Sequence, residues 1–183
     1  MTGNATRLCE YVMSLPKVYR AVIQFGTETS TYDYSGEIIS QNGYSNLDEK
    51  QIRNALFQFS GYRLQKPPAV SALKVNGEPA YKLARAGIDI EIKARPVFFR
   101  KIDVLRPLNS EGNIELEISC GRGTYIRSLA HDLGKITGCG AFVKSLCRIS
   151  IGKFKVDAAN TPDEESYKIT SLHELASNFT CIQ

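Results

Sequence analysis

A change of hydrophobic period across a pair of glycines limits this chain more than any other feature. Ile114-Glu115-Leu116-Glu117-Ile118-Ser119-Cys120 alternates apolar and polar residues, as a half-buried strand does. Gly121 and Gly123 then break the pattern. Beyond them Ile126, Leu129, Ala130, Leu133 and Ile136 recur at steps of three and four, one face of a helix. Thr124 is the expected N-cap. A strand therefore hands over to a helix here, with an aromatic hydroxyl (Tyr125) and a guanidinium (Arg127) at the junction. The first N–H groups of a helix lack intrahelical partners, so such junctions often face a ligand. The same residues also read as a helix start with one surface arginine and one half-buried tyrosine, and the rest of the chain must decide.

At 183 residues and 43% hydrophobic content, the chain is long enough for one domain with a real core. No apolar run approaches the ~20 residues of a membrane span. The first ten residues carry two charges before any apolar stretch forms, which does not read as a signal peptide. A cytoplasmic protein is expected. Five cysteines (Cys9, Cys120, Cys139, Cys147, Cys181) are irregularly spaced with no Cys-x-x-Cys pair, so reduced, partly buried thiols are expected rather than a metal or redox centre. Neither histidine has a ligand pattern around it, and His131 reads as a surface group. Charge is uneven. Gly61 to Lys101 holds nine Lys/Arg against three acids, and Gly121 to Lys155 seven against one. Val156 to Gln183 holds one Lys against five acids. Two basic blocks and an acidic tail fit a polyanion-binding face, and equally an uneven solvated surface.

In chain order, Ala5 to Leu15 reads as a short helix ended by Pro16, and Lys17 to Phe25 as a strand with Tyr19, Ala21, Ile23 and Phe25 on one side. A polar loop to Gly36 contains Asp33, and Glu37 to Ser40 is at most a short strand. Asn46 with Glu49 resembles a capping box, opening a helix with Ile52, Ala55, Leu56 and Phe59 inward and Gly61 at its end. Lys66-Pro67-Pro68 must be extended. Val70 to Val75 reads as a strand closed by Asn76-Gly77, followed by a helix from Tyr81 to Ala86 with Gly87 as its C-cap. Ile88 to Ile92, Val97 to Leu105, Ala141 to Ile149 and Ile151 to Val156 read as strands, and Ser171 to Ala176 as a weak helix in the tail. Strands outnumber helices without regular alternation, which predicts an α+β fold on a mixed, mainly antiparallel sheet with flanking helices.

Five segments together resemble the TruB-type pseudouridine synthases. They are Lys17-Val18-Tyr19-Arg20; Pro67-Pro68-Ala69-Val70-Ser71-Ala72-Leu73-Lys74-Val75-Asn76-Gly77; Ala80-Tyr81-Lys82-Leu83-Ala84-Arg85-Ala86-Gly87; Gly121-Arg122-Gly123-Thr124-Tyr125-Ile126-Arg127; and Gly138-Cys139-Gly140-Ala141 through Leu146-Cys147-Arg148. They occur in the family's order, and the bacterial tRNA-modifying branch matches better than the guide-RNA-dependent enzymes. The resemblance implies a pseudouridine synthase catalytic fold. It also implies isomerisation of a flipped uridine (U55 in the T loop of tRNA): the base leaves C1′ of its ribose, turns, and rejoins through carbon. Tyr19 is then the stacking platform, Tyr125 a second pocket tyrosine, and Arg127 the partner of an essential aspartate. Leu146 becomes an apolar wall, Asp33 a loop acid near the RNA, and Lys74 and Arg148 substrate contacts. Tyr19 and Leu146 also read as plain core, and Lys74 with Arg85 as a solvated face. The resemblance implies no metal and no organic cofactor. The expected partner is the T stem-loop of tRNA, with the protein a monomer.

The family's aspartate motif, Gly-x-Leu-Asp-Pro-x-Ala-x-Gly, lies upstream of a Gly-x-Ala-Thr-Lys element that Gly3-Asn4-Ala5-Thr6-Arg7 matches. The aspartate is therefore expected before Met1. Asp48 is expected to open a helix, and Asp132 to be structural. Residues 1–155 read as the middle and C-terminal part of a catalytic domain, and 156–183 as an acidic tail. On this reading the fold is N-terminally incomplete, Arg127 lacks its carboxylate, and the chain alone is inactive and marginally stable. A catalytically dead RNA-binding paralogue and a truncated remnant are the alternatives.

Overall fold

The computed structural model describes residues 3–75, 77–88 and 91–159. Its centre is a six-stranded antiparallel sheet of β1 (Lys17–Phe25), β4 (Gly61–Gln65), β7 (Arg95–Arg106), β8 (Asn113–Cys120), β9 (Ala141–Ile151) and β10 (Phe154–Lys155), in the order β10-β9-β1-β8-β7-β4. Two small hairpins flank it: β2 (Thr27–Thr29) with β3 (Ile38–Gln41), and β5 (Lys74–Val75) with β6 (Glu78–Pro79). The helices are α1 (Cys9–Ser14), α2 (Glu49–Phe57), α3 (Ala80–Arg85) and α4 (Ile126–Thr137). The α+β architecture follows from the pattern: β1 and β8 at the centre of the sheet are buried with period two, and the two longer helices lie on the face they bury.

That face is the core. Ala21, Ile23 and Phe25 of β1, Ile114, Leu116 and Ile118 of β8, and Val97 and Phe99 of β7 are buried beneath Ile52, Ala55 and Leu56 of α2 and Ile126, Leu129 and Leu133 of α4. The opposite face is polar, with Arg20 between Glu115 and Glu117 at 3.8 and 3.9 Å. Helix α4 is fitted to the sheet by a close backbone approach. A Cβ on Gly134 would stand 2.2 Å from the Ala141 N, so no larger residue lets the helix settle on the start of β9. Gly138, at φ 77°, ends the helix in the left-handed region that favours glycine.

Several expectations need correction. Tyr125, not Thr124, is the N-cap residue of α4, and Thr124 Oγ1 instead donates to the Gly121 carbonyl at 3.1 Å. Ile136 is exposed, and Gly134 takes the buried place on that face. The capping box of α2 is Asp48 with Gln51, since these two reach each other's backbone N–H groups at 2.6 and 2.9 Å. Asp48 thus opens a helix, as expected. Of Val70 to Val75 only Lys74–Val75 is strand, and no strand forms at Ile88, Glu91 or Ile92; Asp89 and Ile90 lie outside the described residues. The strand Gly61–Gln65 inverts the usual pattern, since its alternating apolar pair, Tyr62 and Leu64, is exposed and the polar Gln65 is buried. The segment before Pro16 divides into a 3-10 turn (Gly3–Leu8) and α1. His131 is not on the surface but buried. Asn76, Cys181 and the tail helix at Ser171 to Ala176 lie outside the described residues.

Candidate active site at the start of helix α4

Tyr125 reaches the junction already bound. Gln65, the last residue of β4, accepts from the Tyr125 N–H through Oε1 at 2.8 Å and donates through Nε2 to the Tyr125 carbonyl at 3.0 Å. Gln65 is buried, so this pair does the work of a cap that the N-cap side chain does not do. One turn on, Ser128 Oγ donates to the Lys66 carbonyl at 2.7 Å. The prolines after Lys66 keep the strand's continuation extended, and it runs past the helix start as a rail.

Arg127 closes this corner. Its Nη2 donates to the Val70 carbonyl at 2.8 Å; its Nη1 donates to Asp33 Oδ2 at 3.0 Å and to the Thr31 carbonyl at 3.3 Å. The expectation that Arg127 lacks a carboxylate within this chain is therefore wrong: Asp33 supplies one, in an ion pair whose side chains are 23% and 19% exposed. A guanidinium has five N–H donors. Among the described residues, Nε–H and one Nη2 hydrogen have no acceptor.

Asp33 is itself held on its other oxygen. Oδ1 accepts from Thr31 Oγ1 at 2.6 Å, Ser35 Oγ at 2.6 Å and the Ser35 N–H at 3.0 Å. Burial raises the pKa of this carboxyl, but the Ser35 and Thr31 hydrogen bonds and the Arg127 charge together outweigh it and leave the pKa lowered. The carboxylate is the form this loop is built for. Thr and Ser two residues either side of an Asp is a turn signature that the sequence displays. Only the fold shows that the turn aims Asp33 at Arg127. Next to it, the Tyr32 ring stacks on His131 at 3.8 Å and 15°. Burial lowers the pKa of His131, Lys135 pushes the same way, and Glu28 opposes both. Glu28 Oε1 lies 3.2 Å from Nδ1, at an angle that makes no hydrogen bond.

The other expected site residues stand on the sheet. Tyr19 is half-buried against the core on β1, opposite Ile118 and Arg148, and Leu146 lies opposite Ala21. Cross-strand partners share a face, so Tyr19, Leu146 and Arg148 are on the side that α4 covers. Leu146 and Arg148 are exposed there, so Leu146 is not plain core. Lys17 shares that row. Burial lowers its pKa, Cys120 counters this, and Arg122 and Arg148 lower it further, which marks a cationic end to the row. Lys74 is exposed on the β5–β6 hairpin, apart from the Arg127 contacts. The sequence did not single out Gln65, Thr31, Ser35 or Lys17. No group of three or more His, Cys, Asp or Glu side chains fit to hold a metal occurs among the described residues. No helix there is long and apolar enough to cross a membrane.

Residues 1–126 match the model of the TruB family pseudouridylate synthase, N-terminal domain. The chain is 45% identical over 152 residues to the tRNA pseudouridine synthase B of Dehalococcoides mccartyi, covering 83% of this chain and 50% of that protein. It is 40% identical over 162 residues to the enzyme of the same name from Solibacter usitatus, covering 88% and 54%. It thus spans about half the length of these curated relatives. Among solved structures, a Cbf5-Nop10-Gar1 complex superposes with a TM-score of 0.58 at 25% identity, over 84% of this chain and 35% of that one. An H/ACA RNP bound to a substrate RNA containing 2'-deoxyuridine shares the fold at a TM-score of 0.54 and 22% identity, over 84% and 33%.

Proposed function

Because this chain belongs to the TruB family of pseudouridylate synthases, we propose that it forms the arginine and tyrosine half of a pocket in which a tRNA uridine, U55 of the T loop, is isomerised. None of the chain's aspartates stands in the Gly-x-Leu-Asp-Pro-x-Ala-x-Gly motif that carries the family's essential aspartate. One observation carries the reading: Arg127 is fixed by Asp33, Val70 and Thr31, yet among the described residues its Nε–H and one Nη2 hydrogen meet no acceptor. Two spare donors on a fixed guanidinium suit a second carboxylate, which they would hold ionised and oriented. Tyr19 and Tyr125 offer aromatic surface to a base taken out of its stack. Leu146 supplies an apolar wall, Arg148 and Lys17 a cationic rim for the RNA backbone, and Lys74 a further phosphate contact. Residues 1–155 form the middle and C-terminal part of the catalytic domain, which acts as a monomer in the cytoplasm.

A second reading has its own support. Asp33 already satisfies one edge of Arg127, so the corner is intact without a catalytic aspartate, as an RNA-binding paralogue without activity requires.

The test compares the chain as it stands with the chain extended at its N-terminus by a segment carrying the Gly-x-Leu-Asp-Pro-x-Ala-x-Gly motif, on a tRNA transcript read for pseudouridine. The extended protein is expected to turn over, and Arg127→Lys to lower its kcat at least a hundredfold, because an ammonium cannot serve two carboxylates as a fork does. Tight tRNA binding without product in the extended protein would favour the second reading. Steady turnover by the unextended chain would show that the aspartate lies within it.

A further inference from the structure

We propose that Tyr32 is a positioning residue: its ring, held on His131, selects the loop conformation in which Asp33 meets Arg127. Helix α4 presents Arg127 and His131 four residues apart, and residues at that spacing lie on the same face. The loop presents Asp33 and Tyr32 in succession. The helix thus grips two consecutive loop residues, one by an ion pair at 3.0 Å and one by a ring stack at 3.8 Å.

The backbone shows why the ring is needed. Tyr32 has φ 63°, the one positive value outside glycine among the described residues. Glycine or asparagine adopts that conformation more cheaply, so a tyrosine there must be repaid by what its side chain touches. What it touches is buried His131, with the rings inclined by 15°. The carbonyl of Tyr32 accepts from Val143 N at 3.0 Å, and Tyr34 N donates to the Val143 carbonyl at 3.1 Å, so Asp33 runs beside β9. Thr29 Oγ1 donates to the Asp33 carbonyl at 2.7 Å. These bonds pin the main chain at residues 32–34. The stack adds the side-chain contact that keeps residue 32 left-handed, and residue 33 takes its direction from it.

The link to catalysis rests on the function proposed above; the link to Asp33 does not, and the experiment separates them. In the full chain, Tyr32→Gly removes the ring while easing the backbone at φ 63°, and Tyr32→Phe keeps the ring. The first readout is the exchange of the Arg127 guanidinium protons in nitrogen-15 NMR. Slow exchange is expected in the parent and in Tyr32→Phe, and at least tenfold faster exchange in Tyr32→Gly. The second readout is turnover in the extended protein. Tyr32→Gly is expected to lower kcat at least tenfold with KM changed less than threefold, and Tyr32→Phe to restore it. Undiminished protection of Arg127 in folded Tyr32→Gly overturns the proposal, as does its loss in Tyr32→Phe. An extended parent without turnover defeats the isomerase reading and leaves the exchange result to decide on Tyr32. If Tyr32→Gly does not fold, His131→Ala, which removes the stacking partner and leaves residue 32 unchanged, carries the same expectations.

Discussion

A guanidinium that is only 23% exposed has to find acceptors for its donors, and Arg127 finds two carbonyls and one carboxylate. The carboxylate matters most, since Asp33 joins the charge of Arg127 to the Thr31 and Ser35 hydroxyls. Asp33→Asn should destabilise the chain by about 1.5–3 kcal/mol at neutral pH, the range for hydrogen bonds to charged groups. The pH dependence has a definite sign. A carboxyl with a lowered folded-state pKa adds stability above its unfolded value, about 3.9, and loses it as pH falls through the folded value. Urea unfolding at pH 7 and pH 3 should therefore show a smaller acid loss in Asp33→Asn than in the parent. Equal stability at neutral pH with an unchanged acid limb would mean that the pair contributes nothing.

Helix α4 is pinned where it begins and where it meets the sheet, by different physics. At the start, Gln65 replaces an N-cap, and its two bonds to Tyr125 tie the helix to the end of β4. Farther along, the missing side chain of Gly134 lets the helix lie against β9. Gln65→Ala leaves the part-buried Tyr125 N–H without its acceptor, while the Tyr125 carbonyl keeps the Leu129 N–H at 3.1 Å, so a loss of about 1–3 kcal/mol is expected. Amide exchange at Tyr125 should quicken more than exchange in the middle of α4. Uniform quickening along the helix would show that Gln65 supports global packing rather than the junction. Gln65 lies about sixty residues from Tyr125 in sequence, and no local signal marks it as the cap.

Taken whole, the molecule is a two-layer unit with one polar sheet face and the candidate site at the rim of the helix-covered face. Arg148 stands there beside Tyr19, across the β1–β9 ladder. If that rim meets RNA backbone, the logarithm of tRNA affinity should fall linearly with the logarithm of salt concentration. Arg148→Gln should then lessen that slope by about 0.7–0.9, the share of one phosphate contact. Filter binding across a salt series measures this. An unaltered slope would place Arg148 off the RNA path and leave the basic residues before Lys101 as the interface.

The sequence determined what depends on neighbours along the chain. The period change at Gly121 to Gly123 fixed the strand-to-helix junction, and alternation fixed β1 and β8 with their buried sides. The same reading placed Tyr125 and Arg127 at that junction, and five ordered motifs pointed to the family. The failures share a cause. Thr124 has a capping residue's chemistry, but Gln65 reaches Tyr125 from another strand. His131 sits where a helical wheel is polar, yet Tyr32 covers it. Arg127 looked unpaired because its carboxylate stands ninety-four residues away, in a loop whose local turn chemistry says nothing of its direction. Periodicity and turn preference act over a few residues and can be read from the chain. Which buried charge meets which partner depends on how distant segments pack, and only the tertiary structure decides that.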